Sequence, residues 1–173
     1  LLSNQFSIVA GGKGANQAIA AARAGGNVTF IACIGTDNFG DNAIEGFKKE
    51  NINTSFIKRN NDTPSGIALI FVDTNGENSI GVAPGSNFEL TPKNIDDSLD
   101  GISDTDVFLS QLEIPIETVE HAVSIARQYG NIYILDPAPA ELLSDDLLKN
   151  ISIITPNESE MEKLTGIIVI DET

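Results

Sequence analysis

The sequence has very few of the residues that build disulfide frameworks, zinc sites and histidine-dependent triads. It contains one cysteine, Cys33, and one histidine, His121, among 173 residues. Cys33 has no partner for an intramolecular disulfide, and its place in the apolar run VTFIACIG favours a small buried side chain. His121 falls outside the apolar stripe of its predicted helix, which favours a solvated position. These counts exclude a Cys/His metal cluster and a histidine-based nucleophilic triad.

Basic residues and long apolar runs are also scarce. Ten lysine and arginine residues stand against 25 aspartate and glutamate residues, which gives a formal net charge of −15. A chain with this charge repels polyanions, which argues against nucleic-acid binding as the main function. The apolar run IALIFV is far shorter than the roughly 20 residues that a membrane helix needs. We therefore expect no membrane span, no secretory leader and a location in the cytoplasm.

Helical and extended patterns alternate along most of the chain. Apolar spacing and capping signals predict helices at 12–24, 41–50, 92–99, 115–129 and 157–164. Short apolar runs predict strands at 27–34, 56–58, 106–112, 132–135 and 151–154. This alternation predicts an α/β fold whose mainly parallel sheet is covered by helices on both faces. The length fits one domain or part of a larger one.

Two segments have a β pattern outside this alternation. Residues 65–87 contain two β-rich arms around Asn75-Gly76, a pair typical of hairpins because both residues tolerate positive φ. Residues 6–10 are predicted to form a further strand. We expect these segments to form a small sheet apart from the parallel one.

The segment GGKGAN, residues 11–16, places three glycines and a lysine where a helix must begin. Glycines at a sharp strand-to-helix turn explain part of this pattern. A helix start also leaves backbone N–H groups unpaired, and glycines allow a ligand to approach them. The segment lacks the spacing of a Walker A loop and that of a dinucleotide-binding loop. By itself it indicates either a turn or a ligand site.

The motifs GGKGANQA, GTDNFG and TPNESE, in this order, resemble the carbohydrate kinase family of ribokinase, fructokinase and adenosine kinase. The resemblance covers essentially the whole chain, and TPSGIALI, FLSQLEIP, LDPAPAELL and LTGI are more similar to the ribokinase branch. It implies a ribokinase-like α/β fold with a mainly parallel central sheet in residues 11–63 and 88–173. It also implies a β-sheet lid formed by residues 1–10 and 64–87, which serves as a dimer contact.

The same resemblance implies two groups of site residues. The sugar-binding group lies at the start of the first helix and after a strand: Gly11, Gly12, Lys13, Asn16 and Glu113. The group near the nucleotide phosphates comprises Asp136, Asn157 and Glu160, with Glu160 organising Mg²⁺ through water. ATP is the implied co-substrate, and activation by a monovalent cation such as K⁺ is left open.

Structural interpretations compete with several of these roles. Glu113 also fits an ordinary exposed carboxylate at a strand end, and Asp136 a turn-capping residue. Asn157 followed by Glu160 is nearly a capping box. Asp37 in GTDNFG matches a recurring family loop, although turn geometry explains it equally well.

The implied reaction is transfer of a phosphoryl group from ATP to the 5-hydroxyl of ribose. The family pattern includes an Asn-x-Asp element ahead of GGKGAN and a late Gly-Ala-Gly-Asp motif whose aspartate is the catalytic base. Neither is found at those places here, so we expect a fold truncated at both ends, a base beyond Thr173 and an inactive chain. The alternatives are another sugar or nucleoside kinase, a non-catalytic sugar-binding module, or a record of part of a longer protein.

Overall fold

A computed structural model describes residues 7–73, 75–102 and 105–168 of the chain. Helices and strands alternate along these residues, as the sequence predicts. The helices are α1 Lys13–Arg23, α2 Asn38–Lys49, α3 Pro92–Asp96, α4 Leu99–Ile102, α5 Ile116–Tyr129, α6 Asp145–Asn150 and α7 Glu158–Thr165. The strands are β1 Ala32–Gly35, β2 Ile57–Asn60, β3 Ile67–Val72, β4 Asn78–Ala83, β5 Val107–Ser110, β6 Ile132–Leu135 and β7 Ile153–Ile154. A 3₁₀ helix spans Gly85–Glu89.

The parallel strands form two hydrogen-bonded groups. In one group, β1 pairs with β2. In the other, β6 lies between β5 and β7 and is parallel to both. The predicted parallel α/β fold is confirmed, but no strand pairing joins the two groups within the described part of the chain. Hydrogen bonds from α1 reach residues that follow β5 and β6, and Ile31, just before β1, packs against the core beside β5 and β6.

The first core lies between β1–β2 and the helices α1 and α2. Ala18, Phe47, Ile52 and Ile57 are its buried members. The rings of Phe30 and Phe47 meet edge to face, with centroids 5.1 Å apart. This packing fixes α1 against β1, because the apolar side of α1 contributes to the same cluster.

The second core lies where α5 packs on one face of β5 and β6. Val119 and Ala126 of α5 are fully buried, as is Leu135 of β6. Tyr133 is also buried, and its hydroxyl lies 2.7 Å from the Ser110 hydroxyl. The helix ends where the backbone turns left-handed at Gly130, with φ 74°.

The opposite face of the β5–β6–β7 sheet differs from the prediction of helices on both faces. Val107, Leu109, Ile132 and Ile153 are 43–47% exposed. Strand side chains alternate between faces, so these residues point away from the α5 side. Among the described residues, this apolar face is therefore only partly covered.

The hairpin β3–β4 is a separate two-stranded antiparallel sheet, as predicted. Its register runs from Ile67 opposite Ala83 to Val72 opposite Asn78. At the turn, Gly76 has φ 85°, a conformation that favours glycine. Every residue of both strands is exposed.

The predicted strand at residues 6–10 is wrong for residues 7–10. These residues are irregular and exposed; Ile8 is 68% exposed and Val9 80%. An alternating apolar pattern forms a strand only when another strand supplies hydrogen bonds, and none of the described pairings includes them. Phe6 and the residues before it lie outside the described residues. The helix α6 and the 3₁₀ helix were not predicted.

The single cysteine is buried, and the single histidine lies at the surface. Cys33 is 2% exposed, as predicted. His121 is partly exposed and is not among the buried residues of α5, and its Nε2 lies 2.7 Å from Oδ1 of Asp96 on α3. No described helix has the length and apolarity that crossing a membrane requires.

Candidate functional site

The N-terminus of α1 has no side-chain cap of its own. Gly12 is the N-cap residue, with φ 99°, a conformation that favours glycine. Gly11 and Gly12 are exposed, and the helix begins at Lys13. The first N–H groups of a helix have no partner within it. This end of α1 is therefore open to a side chain from elsewhere or to a ligand.

Glu113 supplies that side chain from another part of the chain. The Lys13 backbone N–H donates to Glu113 Oε2 at 3.1 Å, across 100 residues of sequence. Glu113 follows β5 closely, and the intervening Leu112 N–H donates to the Ala138 carbonyl at 2.9 Å. A carboxylate is stabilised at the positive end of a helix dipole. The structure thus joins two of the predicted sugar-binding residues.

Asn16 lies one turn into the same helix. Its backbone N–H donates to the Gly12 carbonyl at 2.9 Å, and its side chain is exposed. Gly11, Gly12, Lys13, Asn16 and Glu113 therefore gather at one end of α1. Their role in sugar binding stays a prediction.

A polar chain beside this site connects α1 to the ends of β5 and β6. The Gln17 side-chain amide donates to Asp136 Oδ2 at 2.7 Å. The Gln111 amide donates in turn to Gln17 Oε1. A Cβ atom on Gly14 would lie 2.9 Å from Gln111 Oε1, so glycine leaves room for this contact.

Sequence reasoning missed Gln17 and Gln111. Two signals could have found them. Gln17 is four residues after Lys13 and so lies on the same side of α1. Gln111 directly follows β5, and side chains at the carboxyl ends of parallel strands gather at one edge of the sheet. Asp136 is at the corresponding end of β6, but its contact here is with α1.

Asn157 and Glu160 form a capping box, which was the structural interpretation competing with their predicted role near magnesium and phosphate. The Glu160 N–H donates to Asn157 Oδ1 at 2.9 Å, and the Asn157 N–H donates to Glu160 Oε2 at 2.8 Å. The Asn157 side-chain amide also donates to Glu160 Oε1 at 2.9 Å. Glu160 is 7% exposed. Both of its oxygens therefore stabilise the start of α7.

The predicted magnesium role can be tested against the donors present. Within the described ranges, no three His, Cys, Asp or Glu side chains gather as a metal site. Mg²⁺ commonly keeps several waters and uses one or two carboxylates together with substrate phosphates. The carboxylates of Asp136 and Glu160 fit that second mode, since each carboxylate has acceptor capacity beyond its present hydrogen bonds.

A family model described as the pfkB family carbohydrate kinases matches residues 2–172. The chain belongs to this family. Ribokinase of Haemophilus influenzae is 46% identical over 172 residues, which are 99% of this chain and 56% of that protein. Deoxyribokinase of Salmonella typhi is 39% identical over 165 residues, which are 95% of this chain and 54% of that protein.

A solved ribokinase structure shares the fold. A structure of Arabidopsis thaliana ribokinase complexed with ribose and ATP superposes with a TM-score of 0.90 at 27% identity. The match covers 99% of this chain and 56% of that one. The predicted ribokinase-like fold class is thus confirmed. The chain spans little more than half the length of these relatives.

Proposed function

We propose that this chain is the sugar-binding part of an ATP-dependent kinase that phosphorylates ribose at its 5-hydroxyl. Membership of the pfkB family supports a carbohydrate kinase. The contact between the Lys13 N–H and Glu113 Oε2, at 3.1 Å, carries the finer proposal. It unites helix-end donors with an acceptor from the end of β5.

The chemistry of this group suits a neutral polyol. A sugar hydroxyl both donates and accepts hydrogen bonds. Gly11 and Gly12 leave the backbone accessible, Asn16 can donate and accept, and Glu113 accepts. An anion at the same helix end would be repelled by the Glu113 carboxylate. A free sugar is therefore a better ligand here than a phosphorylated one.

Lys13 contributes a mobile positive charge at the same end of α1. In a phosphoryl transfer, charge builds up on the transferred group and on the oxygens that flank it. We infer that Lys13 binds the sugar and also stabilises this charge, whereas Asn16 and Glu113 hold hydroxyl groups throughout the reaction. This division of roles gives the two sides of the site different kinetic signatures.

The phosphate side of the site comprises Asp136, Asn157 and Glu160. We infer that Mg²⁺ arrives with ATP and meets Glu160 through water, because Asn157 already engages both carboxylate oxygens of Glu160. When bound, the ion would neutralise phosphate charge. Asp136 is held by Gln17, which links this side to the helix that binds the sugar.

We assign no catalytic base within these 173 residues. Phosphoryl transfer needs a group that accepts or orients the proton of the attacking hydroxyl. In the family that the chain resembles, the aspartate of a Gly-Ala-Gly-Asp motif is this base. The present sequence contains no such motif. We therefore infer that the 173 residues bind sugar without turnover. A location in the cytoplasm and activation by K⁺ stay predictions.

The two faces of the hairpin β3–β4 support the proposal that it is a lid and also mediates dimerisation. Leu69 and Phe71 project from one face, where the small residues Ser79 and Gly81 lie opposite them. We propose that this face covers the sugar. The other face carries four aliphatic side chains that are 55–65% exposed: Ile70, Val72, Ile80 and Val82. We propose that it packs on the same face of a second copy.

A kinase for a different sugar is the second candidate. The deoxyribokinase relative supports it, since its name indicates a sugar without one hydroxyl. A non-catalytic sugar-binding module is the third. Substrate comparison separates these candidates, because only the first two transfer phosphate and they prefer different sugars.

The test uses the product of the complete reading frame that contains this sequence, hereafter the full product. ATP turnover is measured with ribose, 2-deoxyribose, fructose and adenosine, and ³¹P NMR locates the phosphate. We expect ribose 5-phosphate. Glu113→Gln should raise the KM for ribose about tenfold, as loss of a charged acceptor predicts. Glu117→Gln, on the exposed first turn of α5, is the control. Absence of turnover with every sugar would overturn the proposal, and preference for 2-deoxyribose would establish the second candidate.

A further inference from the structure

The loop between β1 and α2 is joined to the base of the β3–β4 hairpin through one carboxylate, that of Asp37. Asp37 Oδ2 accepts the Ser65 N–H at 2.7 Å. Its Oδ1 accepts the Ser65 hydroxyl at 2.8 Å and the Gly40 N–H at 2.9 Å. Ser65 lies just ahead of β3. Asp37 therefore both caps α2 and fastens the start of the hairpin.

The backbones also fit closely at this junction. The Gly35 N–H donates to the Ser65 hydroxyl at 3.1 Å. A Cβ atom on Gly35 would lie 2.5 Å from the Ser65 nitrogen, and one on Gly40 would lie 2.1 Å from the Gly35 carbonyl oxygen. Both distances are too short for any side chain. The junction is thus a tight contact between backbone segments about 30 residues apart.

The second strand of the hairpin is fixed to the same base. Ser86 is fully buried, and its hydroxyl lies 2.7 Å from the carbonyl oxygens of Thr63 and Pro64. The Ser86 N–H donates to the Pro64 carbonyl at 2.8 Å. Both ends of the hairpin therefore meet at residues 63–65. Beyond this base, both strands are exposed along their whole length.

We propose that Asp37 is a positioning residue that fixes the orientation of the β3–β4 hairpin and thereby sets the affinity of the adjoining site for its sugar. The second half rests on the proposed function, in which the hairpin covers the sugar. Within one copy of the chain, the described residues include no packing partner for the exposed strands that would hold them at another angle. The orientation consequently depends on the base, where Asp37 supplies the side-chain connection to the β1–α2 loop.

A role limited to capping α2 is the competing interpretation. Hydrogen bonds from the Gly40 N–H, the largest cause, and from the Ser65 N–H lower the pKa of the Asp37 carboxyl. Both partners therefore stabilise its ionised form. Substitutions can separate them. Asp37→Asn keeps a good N-cap residue but removes the charge that faces Ser65. Ser65→Ala leaves the bond from Gly40 in place and removes only the hydroxyl.

The first measurement is the distance between spin labels on the hairpin and on α2 of the full product. Labels are placed at Asn75→Cys and Glu45→Cys in a background in which Cys33 and any other cysteine of the full product are replaced by alanine. Dilution with unlabelled protein keeps labelled pairs within one subunit. We expect a broader distance distribution in Asp37→Asn and Ser65→Ala. Ser144→Ala removes the N-cap of α6, where Ser144 accepts the Leu147 N–H, and should leave the distribution unchanged.

The second measurement is kinetic, on the same variants without labels. We expect the KM for the sugar to rise on the order of tenfold in Asp37→Asn, as loss of a charged hydrogen bond predicts, with the KM for ATP unchanged. Ser144→Ala should change neither constant. Melting temperatures show whether each variant is folded, and Ser65→Ala serves if Asp37→Asn is not.

The outcomes distinguish this inference from the proposed function. An unchanged distance distribution in both variants, or equal broadening in Ser144→Ala, overturns the role of Asp37. Broadening without a change in the KM for the sugar overturns its link to sugar affinity. If the wild-type full product phosphorylates no sugar, the proposed function fails, and the distances alone decide whether Asp37 orients the hairpin.

Discussion

Two polar side chains within one turn of α1 have different expected effects on the proposed reaction. In the roles proposed above, Asn16 holds hydroxyl groups before and during transfer, whereas Lys13 also meets charge that develops in the transition state. Interactions of the first kind change KM, and interactions that strengthen in the transition state change kcat. Substitution at these positions therefore tests the division of roles directly.

We expect Asn16→Ala in the full product to raise the KM for ribose, with a loss of about 1–3 kcal/mol from unpaired hydrogen bonds. We expect Lys13→Ala to lower kcat as well. Asn42→Ala and Lys48→Ala, at exposed positions of α2, are the matched controls. Steady-state kinetics and melting temperatures of all four variants provide the measurement. Stable folding with unchanged kinetics in Asn16→Ala and Lys13→Ala would reject the site assignment.

Tyr133 gives a prediction about alkaline pH. Burial raises the pKa of its phenol to about 12, although the hydrogen bond with Ser110 acts in the opposite direction. Because a tyrosine in the unfolded chain ionises near pH 10, the unfolded state binds fewer protons than the folded state above that pH. The stability that depends on neutral Tyr133 is thus fully present below pH 10 and lost as the pH rises toward 12.

The free energy of unfolding of the full product should accordingly fall less between pH 8 and pH 10.5 in Tyr133→Phe than in the wild type. At pH 8 the variant should lose about 1 kcal/mol with its hydrogen bond. Tyr129→Phe, at a 43% exposed position, is the control and should follow the wild type. Urea titrations at both pH values decide the matter, and parallel curves for all three proteins would contradict the prediction.

At the scale of elements, the glycines of α2 show what sequence can and cannot indicate. Gly40 and Gly46 both lie within Asn38–Lys49, and helix propensity treats them alike. A Cβ on Gly40 would lie 2.1 Å from the Gly35 carbonyl oxygen, whereas nothing lies within 4 Å of one on Gly46. The difference comes from a contact between the helix start and the end of β1.

We therefore expect the two substitutions to alanine to have opposite signs. Gly40→Ala should lower the free energy of unfolding of the full product by about 1–3 kcal/mol, because overpacking displaces backbone. Gly46→Ala should raise it by about 0.5–1 kcal/mol through helix propensity. Chemical denaturation of both variants checks the pair. A Gly40→Ala variant as stable as the wild type would contradict the packing described for the β1–α2 junction.

The sequence predicted elements whose pattern and packing agree. The amphipathic spacing of α5 and the glycine that follows it indicated a helix almost at its observed bounds. The start of α2 was placed three residues late, because Asp37 caps the helix and this contact has no periodic signal. The predicted strand at residues 7–10 was wrong for the opposite reason. The strand pattern is present there, but none of the described strands pairs with these residues. The separation of β1–β2 from β5–β7 likewise depends on packing rather than pattern.

Sequence motifs predicted residues of the candidate site but not the long-range contacts between them. Lys13 and Glu113 come from motifs in the sequence, but their contact joins positions 100 residues apart. Gln17 and Gln111 were missed because glutamine in a helix or after a strand is common and its partners are set by tertiary structure. Asn157 and Glu160 show the converse, since a local rule predicted their mutual hydrogen bonds correctly.

At the scale of the whole molecule, the two faces of the hairpin predict an oligomer. A contiguous exposed apolar patch commonly marks an interaction surface, and the same face on two copies can form a symmetric contact. Ile80→Lys, on the proposed dimer face, should shift the full product from dimer to monomer. Leu69→Lys, on the opposite face, should leave the dimer intact and raise the KM for ribose.

Sedimentation of both variants tests this division, with Leu142→Lys as a control at a position that is 75% exposed and distant in sequence from the hairpin. Dissociation by Leu69→Lys with no effect of Ile80→Lys would reverse the assignment of the faces. A wild-type full product that sediments as a monomer would contradict the dimer itself.

What the 173 residues do by themselves depends on which functional groups the whole chain contains. They contain the proposed sugar-binding end of α1 and Glu113, but no group that we assign as the base. Loss of a positioned base commonly costs about 10²–10⁴ in rate. Loss of oriented donors for the developing charge costs roughly another 10²–10³. With both losses, the turnover rate of a typical kinase would fall below what an ordinary coupled assay detects.

We therefore expect no ribose-dependent ATP turnover above background from the 173-residue chain, under conditions where the full product is active. Mass spectrometry must establish that each preparation has the intended length, because contamination by a longer kinase would imitate activity. Calorimetry with ribose tests the binding half separately, and Glu113→Gln should weaken any binding seen, since the acceptor charge is lost. Robust phosphorylation by a preparation of the 173-residue mass would place the base among these residues, with Asp136 as the first carboxylate to substitute.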